Sequence, residues 1–195
     1  MDDAQIWAHI DEQRADLADF LDTLTADQWG TPSLCPGWTV REVAVHVTQS
    51  ATNWAKLMFE MARSGFRFNA VTLRMARGDT RTPEEITAAL RAMVGGRRRP
   101  PGTAPADPLM DVLVHAQDIA IPLGVRRVMP IPAAIVAAER VWSMGFPFNA
   151  RRQFPNTRFI ATDADFSVGT GEDVRAPIQD ILMTLSGRRV GLPVE

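Results

Sequence analysis

The densest chemistry in this 195-residue chain lies in Asp111-Val112-Leu113-Val114-His115-Ala116-Gln117-Asp118, where titratable side chains recur at a helical interval inside an apolar run. On a helix, residues four apart sit one above the other, so Asp111 and His115 point the same way, with Asp118 a further turn along. A carboxylate oxygen and an imidazole nitrogen at that spacing can grip one cation. A single helix supplies only these two ligands, so a third has to come from elsewhere. The chain has only three histidines, His9, His46 and His115. His9 stands beside Trp7 and Ile10 with no partner at ligand spacing and reads as a packing residue, which leaves His46. The set His46, Asp111 and His115 leaves an open coordination position for water or substrate, the form of a catalytic site and not of a closed structural one. The competing reading is three hydrogen-bonded core residues, since a D-x-x-x-H pair also occurs by chance.

Two neighbours of this set read as structural. Asp118 reads as a solvated or capping aspartate, with an indirect orienting role on His115 as the alternative, because a ligand's own helix rarely supplies the partner that orients it. Cys35, between two prolines and close to Trp38, reads as a small buried packing residue, with a nucleophile as the alternative.

Positioning these side chains is the work of a run of helices. Apolar residues at threes and fours from Ile6 to Leu24 predict a first amphipathic helix. The next segment, Thr25 to Trp38, breaks the pattern, and two prolines and a glycine in Thr31-Pro32-Ser33-Leu34-Cys35-Pro36-Gly37-Trp38 force a structured loop. Thr39 with Glu42 three residues on forms a capping-box pattern that opens a second helix to about Arg63. Its core stripe is Val40, Val43, Val47, Trp54 and Leu57, and Glu42, His46, Gln49, Ser50 and Asn53 share the adjoining face.

Further helices are predicted over Phe66 to Arg77, from Thr82-Pro83 to Gly95, from Asp107-Pro108 to Gly124, and over Ile131 to Met144. The last of these is apolar nearly all round and is expected to be buried. After Phe148 the texture changes. Thr157 to Val168 alternates at period two and predicts a β-hairpin, and Val174 to Ser186 predicts a helix. The expected organisation is mainly α, with a helical unit over residues 1–150 and a small α+β appendage, hairpin plus helix, over residues 151–195.

Composition narrows the function. A net charge of -2 with 46% hydrophobic residues describes an ordinary globular protein and gives no reason to expect nucleic acid as a partner. One cysteine excludes an intramolecular disulfide and a cysteine-rich metal cluster, in keeping with a reducing cytoplasm. No apolar run approaches the roughly 20 residues that span a bilayer, so no membrane partner is expected and the expected location is cytoplasmic.

The segment from Pro32 through Cys35-Pro36-Gly37-Trp38 to His46-Val47 resembles the N-terminal signature of the DinB-like metalloenzyme superfamily, in its mycothiol-dependent maleylpyruvate isomerase family. Asp111 to Asp118 is similar to the second signature of that family, and Thr162 to Gly169 through Leu185 to Arg188 to its C-terminal portion. The resemblance implies a DinB-like four-helix bundle that holds a divalent metal, zinc, with mycothiol as cosubstrate. Position by position it makes His46 the first metal ligand, Asp111 the carboxylate ligand and His115 the last. The isomerases usually carry glutamate where Asp111 stands, and the C-terminal portion here is shorter than theirs.

The function so implied is a metal-dependent enzyme that uses the thiol on a small-molecule electrophile, as an S-transferase or a cis-trans isomerase. The alternatives are a non-catalytic small-molecule-binding or dimerising bundle, which would make a homodimer the partner, and a metal-dependent hydrolase.

Overall fold

The computed structural model of the chain describes residues 1–49 and 68–192. It forms two compact units, Trp7–Arg127 and Met1–Ile6 with Val128–Glu195. The protein is mainly helical with one small sheet. Among the described residues no helix is long and apolar enough to cross a membrane.

Helix α1 (Asp3–Asp22) starts before Ile6 because Asp2 and Gln5 cap each other, the Gln5 amide donating to Asp2 Oδ1 at 2.8 Å and the Asp2 amide to Gln5 Oε1 at 3.0 Å. A short helix, α2 (Ala26–Trp29), follows where the sequence predicts loop. Thr25 and Gln28 form a capping box, and Trp29 of this helix is buried. The Pro32–Thr39 bridge closes the loop that comes next, and Gly37 occupies φ +80°, a conformation that favours glycine.

Helix α3 (Val40–Gln49) opens on the expected box, the Thr39 amide donating to Glu42 Oε2 at 2.6 Å and the Glu42 amide to Thr39 Oγ1 at 3.3 Å. The predicted continuation to Arg63, with Ser50, Asn53, Trp54 and Leu57, lies outside the described residues. Helices α4 (Phe68–Arg77) and α5 (Pro83–Arg91) come next, α5 capped by Thr82 in a capping box with Glu85. Helix α6 (Ala106–Ala120) starts ahead of Asp107, which does not cap by preceding the helix. It lies inside the first turn and accepts from the Ala104 amide at 2.7 Å, so the cap reaches backwards.

The core of this unit joins α1 (Leu17, Leu21), α3 (Val40, Val43, Val47), α5 (Ile86, Leu90) and α6 (Val112, Ala116, Ile119), all buried. Helix α3 packs against α4, α5 and α6. Burying each such Val, Leu or Ile side chain is worth roughly 1.5–3 kcal/mol, which pins the faces of α3 and α6 to one another.

The second unit contains α7 (Ile131–Ser143), the short α8 (Ala150–Gln153), strands β1 (Thr157–Ala161), β2 (Ser167–Gly169) and β3 (Glu172–Ala176), and α9 (Ile178–Leu185). Helix α7 buries one face, Ala133, Ala134, Ala137, Ala138 and Val141, while Ile131 is exposed, so it is not covered all round. It packs on α9. The hairpin is present, with Phe159 opposite Val168, and the strand order is β2-β1-β3.

One prediction fails here. Residues 172–176 form a strand parallel to β1, with Val174 beside Phe159, where helix is predicted from Val174. Val174 and Ala176 are buried between exposed Asp173 and Arg175, a period of two and not of 3.6. Pro177 disfavours helix at Ala176 and moves the helix start to Ile178, whose amide is capped by Asp163 Oδ1 at 2.8 Å. To pair with the far side of β1, the chain crosses the start of that strand. A Cβ at Gly169 or Gly171 would come within 2.2 Å of the carbonyl oxygens of Thr157 or Asn156, so both positions need glycine.

Candidate metal centre

Helix α3 carries His46 and helix α6 carries Asp111 and His115, and the packing of the two helices brings all three side chains together. Their ligand atoms all lie within 4.8 Å of one another. His115 Nε2 is 3.5 Å and His46 Nε2 is 3.8 Å from Asp111 Oδ1. Ligand atoms bound tetrahedrally at zinc bond lengths are about 3.4 Å apart, so the donor set fits a small divalent ion. The short aspartate arm reaches both imidazoles. The side chains of His46, Asp111 and His115 are 17%, 21% and 15% exposed, enough for a small molecule to reach them.

The two rings are held. The His46 and His115 rings meet edge to face with centroids 4.9 Å apart, and Trp38 packs edge-on against His46 at 5.5 Å. Trp38 is itself fixed by the loop, its carbonyl accepting from the Ser33 amide at 2.8 Å and from Ser33 Oγ at 2.9 Å.

Asp118 is not the solvated residue that the sequence suggests. It is fully buried, and its Oδ2 lies 2.8 Å from His115 Nδ1. One helical step of three brings the carboxylate back onto the ring it follows, despite the shared helix. Cys35 is likewise more than packing. Partly exposed, it donates from Sγ to the same Asp118 Oδ2 at 3.1 Å, and the neighbouring Leu34 amide donates to the Asp118 carbonyl at 3.1 Å. Asp118 and Cys35 are the site residues that spacing alone misses, although the H-x-x-D step was the available signal for the first.

Burial works against charge on His115, but its hydrogen bonds to Asp118 and Cys35 and the charges of Asp111 and Asp118 outweigh this and raise its pKa to about 10. A cation therefore competes with a proton for Nε2.

Other polar residues of α3 serve elsewhere. Glu42 caps the helix and pairs with Arg77 at 2.9 Å, and Gln49 Nε2 donates to Asp79 Oδ2 at 3.0 Å. His9 faces Glu12 at 3.5 Å and joins no ligand cluster among the described residues. A cavity of about 350 Å³ in the C-terminal unit, lined by Trp142, Arg151 and Phe154 among others, contains none of the clustered titratable groups.

The chain matches the family model of the mycothiol maleylpyruvate isomerase N-terminal domain over residues 10–108. The matched segment contains Cys35 and His46 and stops short of Asp111. No curated protein matches the chain. Two solved structures have a similar fold. One is a mycothiol-dependent maleylpyruvate isomerase, with TM-score 0.64 and 16% identity. The other is a histidine-to-alanine mutant of such an enzyme, with TM-score 0.65 and 15% identity. Each alignment covers 98% of this chain and 92% of the other.

Proposed function

The chain belongs to the mycothiol maleylpyruvate isomerase N-terminal domain family, and on that premise we propose that it is a metal-dependent enzyme that uses a low-molecular-weight thiol, mycothiol, on a small electrophile. The observation that carries this reading is the convergence of His46, Asp111 and His115 on one point, with all ligand atoms within 4.8 Å of one another. His46 Nε2, Asp111 Oδ1 and His115 Nε2 would hold the ion. A bound divalent cation of the zinc type lowers the pKa of a thiol at its open position, so that the nucleophilic thiolate is present at neutral pH.

The chain's own contribution is placement and charge. Asp111 supplies the one carboxylate of the three ligands, so a divalent ion keeps net positive charge to attract an anionic sulfur. Asp118 keeps the His115 ring turned, and Trp38 packs edge-on against His46. The reaction class is formation of a carbon–sulfur bond between thiolate and an electrophilic carbon. In a transferase that bond remains. In a cis-trans isomerase it breaks again after rotation about the former double bond, and the thiol is regenerated.

The test is metal analysis of the purified protein, then a conjugation and isomerisation screen with mycothiol against unsaturated acids and halogenated aromatics. The expected result is about one zinc-class ion per chain and turnover that requires the thiol. Absence of a stoichiometric cation under non-chelating conditions would sink the reading, and thiol-independent turnover would point instead to hydrolysis.

A further inference from the structure

The bond network behind the candidate ligands converges on a single carboxylate. Asp118 Oδ2 meets His115 Nδ1 at 2.8 Å and accepts from Cys35 Sγ at 3.1 Å, and the Asp118 main-chain carbonyl accepts from the Leu34 amide at 3.1 Å. Asp118 is 0% exposed, so its side chain is fixed by these neighbours and by the packing of α6. We propose that Asp118 is a positioning residue for both histidines, holding His115 directly and His46 through the loop that carries Cys35. The inference rests on the metal reading given above.

The direct arm follows from imidazole chemistry. A ring nitrogen that faces an ionised carboxylate carries the hydrogen, because the carboxylate can only accept. With the hydrogen on Nδ1, the Nε2 lone pair of the neutral ring is the one that faces Asp111 Oδ1, 3.5 Å away. The wrong tautomer would present N–H to the cation. The indirect arm runs through the loop. Cys35 and Leu34 dock on Asp118, the Trp38 amide donates to the Cys35 carbonyl at 3.0 Å, and the Trp38 ring packs against His46. The loop is thus tied at one end to the helix of His115 and at the other to the ring of His46.

The experiment measures cation affinity by competition with a chromophoric zinc chelator for the wild-type chain, Asp118→Asn, Asp118→Ala and Cys35→Ser, with circular dichroism to verify folding. Loss of an orienting partner of this kind costs 10- to 100-fold in metal affinity. Asp118→Ala is expected to weaken zinc binding by about that much and Asp118→Asn by less, because an amide oxygen can still accept from Nδ1. Cys35→Ser is expected to change it by a few-fold at most, since a hydroxyl can replace the thiol as donor.

The second readout needs no metal. Nitrogen-15 spectra of the metal-free protein should show a hydrogen-bonded His115 Nδ1–H that disappears in Asp118→Ala and remains in Cys35→Ser. A folded Asp118→Ala chain that binds zinc within twofold of wild type would overturn the proposal, as would an Nδ1–H signal unaffected by the substitution. If the wild-type chain binds no zinc, the metal reading fails, and the Nδ1–H signal alone still decides whether Asp118 holds the ring.

Discussion

Helix α3 contributes to two polar clusters that are built on opposite principles. Around Asp79, charge is balanced. Arg81 Nε and Nη2 donate to its two carboxylate oxygens at 2.9 and 2.7 Å, Gln49 donates a further bond, and Arg41 ties the backbone carbonyls of Asp79 and Arg81 together at 2.7 Å each. Arg81 also donates to Thr48 Oγ1 at 2.9 Å. The result is a carboxylate whose pKa is lowered from 3.8 to about 2, chiefly by the hydrogen bond from Arg81. Around His46 the opposite holds. Two imidazoles and a carboxylate bring ligand atoms to one point, and the orienting bond sits behind one ring, on Asp118. A knot of matched donors and acceptors needs nothing further and holds a fold together. In the converging set a proton on His115 stands where a cation would bind, and the cation has to displace it.

The largest expected effect tests the second cluster. His46→Ala and His115→Ala should each abolish stoichiometric metal and lower thiol-dependent turnover by about three powers of ten, since a Lewis acid is worth several kcal/mol in the transition state. Arg81→Ala should leave metal content unchanged. Plasma emission spectroscopy beside a turnover assay separates the two outcomes, and loss of metal in Arg81→Ala would erase the distinction between the clusters.

Chelation comes next in size. Metal held at about 100 times its Kd stabilises the fold by about 2.7 kcal/mol, so its removal should lower the Tm of the wild-type chain by roughly 5 to 10 °C. Thermal scans with and without chelator should show the same drop in Arg81→Ala and none in His46→Ala. Urea unfolding of Arg81→Ala should then show a loss of about 2 kcal/mol in the presence of metal, the cost of depriving a half-buried carboxylate of its bidentate partner.

The smallest effect is one of pH. The folded-state pKa of Asp79 lies below its ordinary value, so the group stabilises the fold above that value, and the contribution is lost as the pH falls from 3.8 to about 2. It amounts to about 2 kcal/mol at most. Asp79→Asn should therefore be less stable than the wild-type chain at neutral pH, and the gap should close on acidification. A gap that persists unchanged at pH 2 would mean that Asp79 stabilises through shape and not through charge.

What could be read in the sequence was local. The Thr39–Glu42 box, the start of α5 at Thr82-Pro83, the hairpin from Thr157 to Val168 and the i, i+4 step from Asp111 to His115 each depend on residues close in the chain, and each is present in the structure. The scarcity of histidine then pointed to His46 as the third member of the set, and packing of α3 on α6 brings it there.

The misreadings share a physical cause. Val174 reads as helix in the sequence because the strand it belongs to pairs with no neighbouring segment of chain. Only pairing with β1, across the close approach at Gly169 and Gly171, gives that segment its hydrogen bonds. The contact that joins Asp118 and Cys35 spans 83 positions of chain, so no local pattern in the sequence announces it. Periodicity and capping are set by short-range geometry and were legible in the sequence. Which carboxylate becomes fully buried, and which two donors share its oxygen, was decided only when the loop before α3 came to lie against α6.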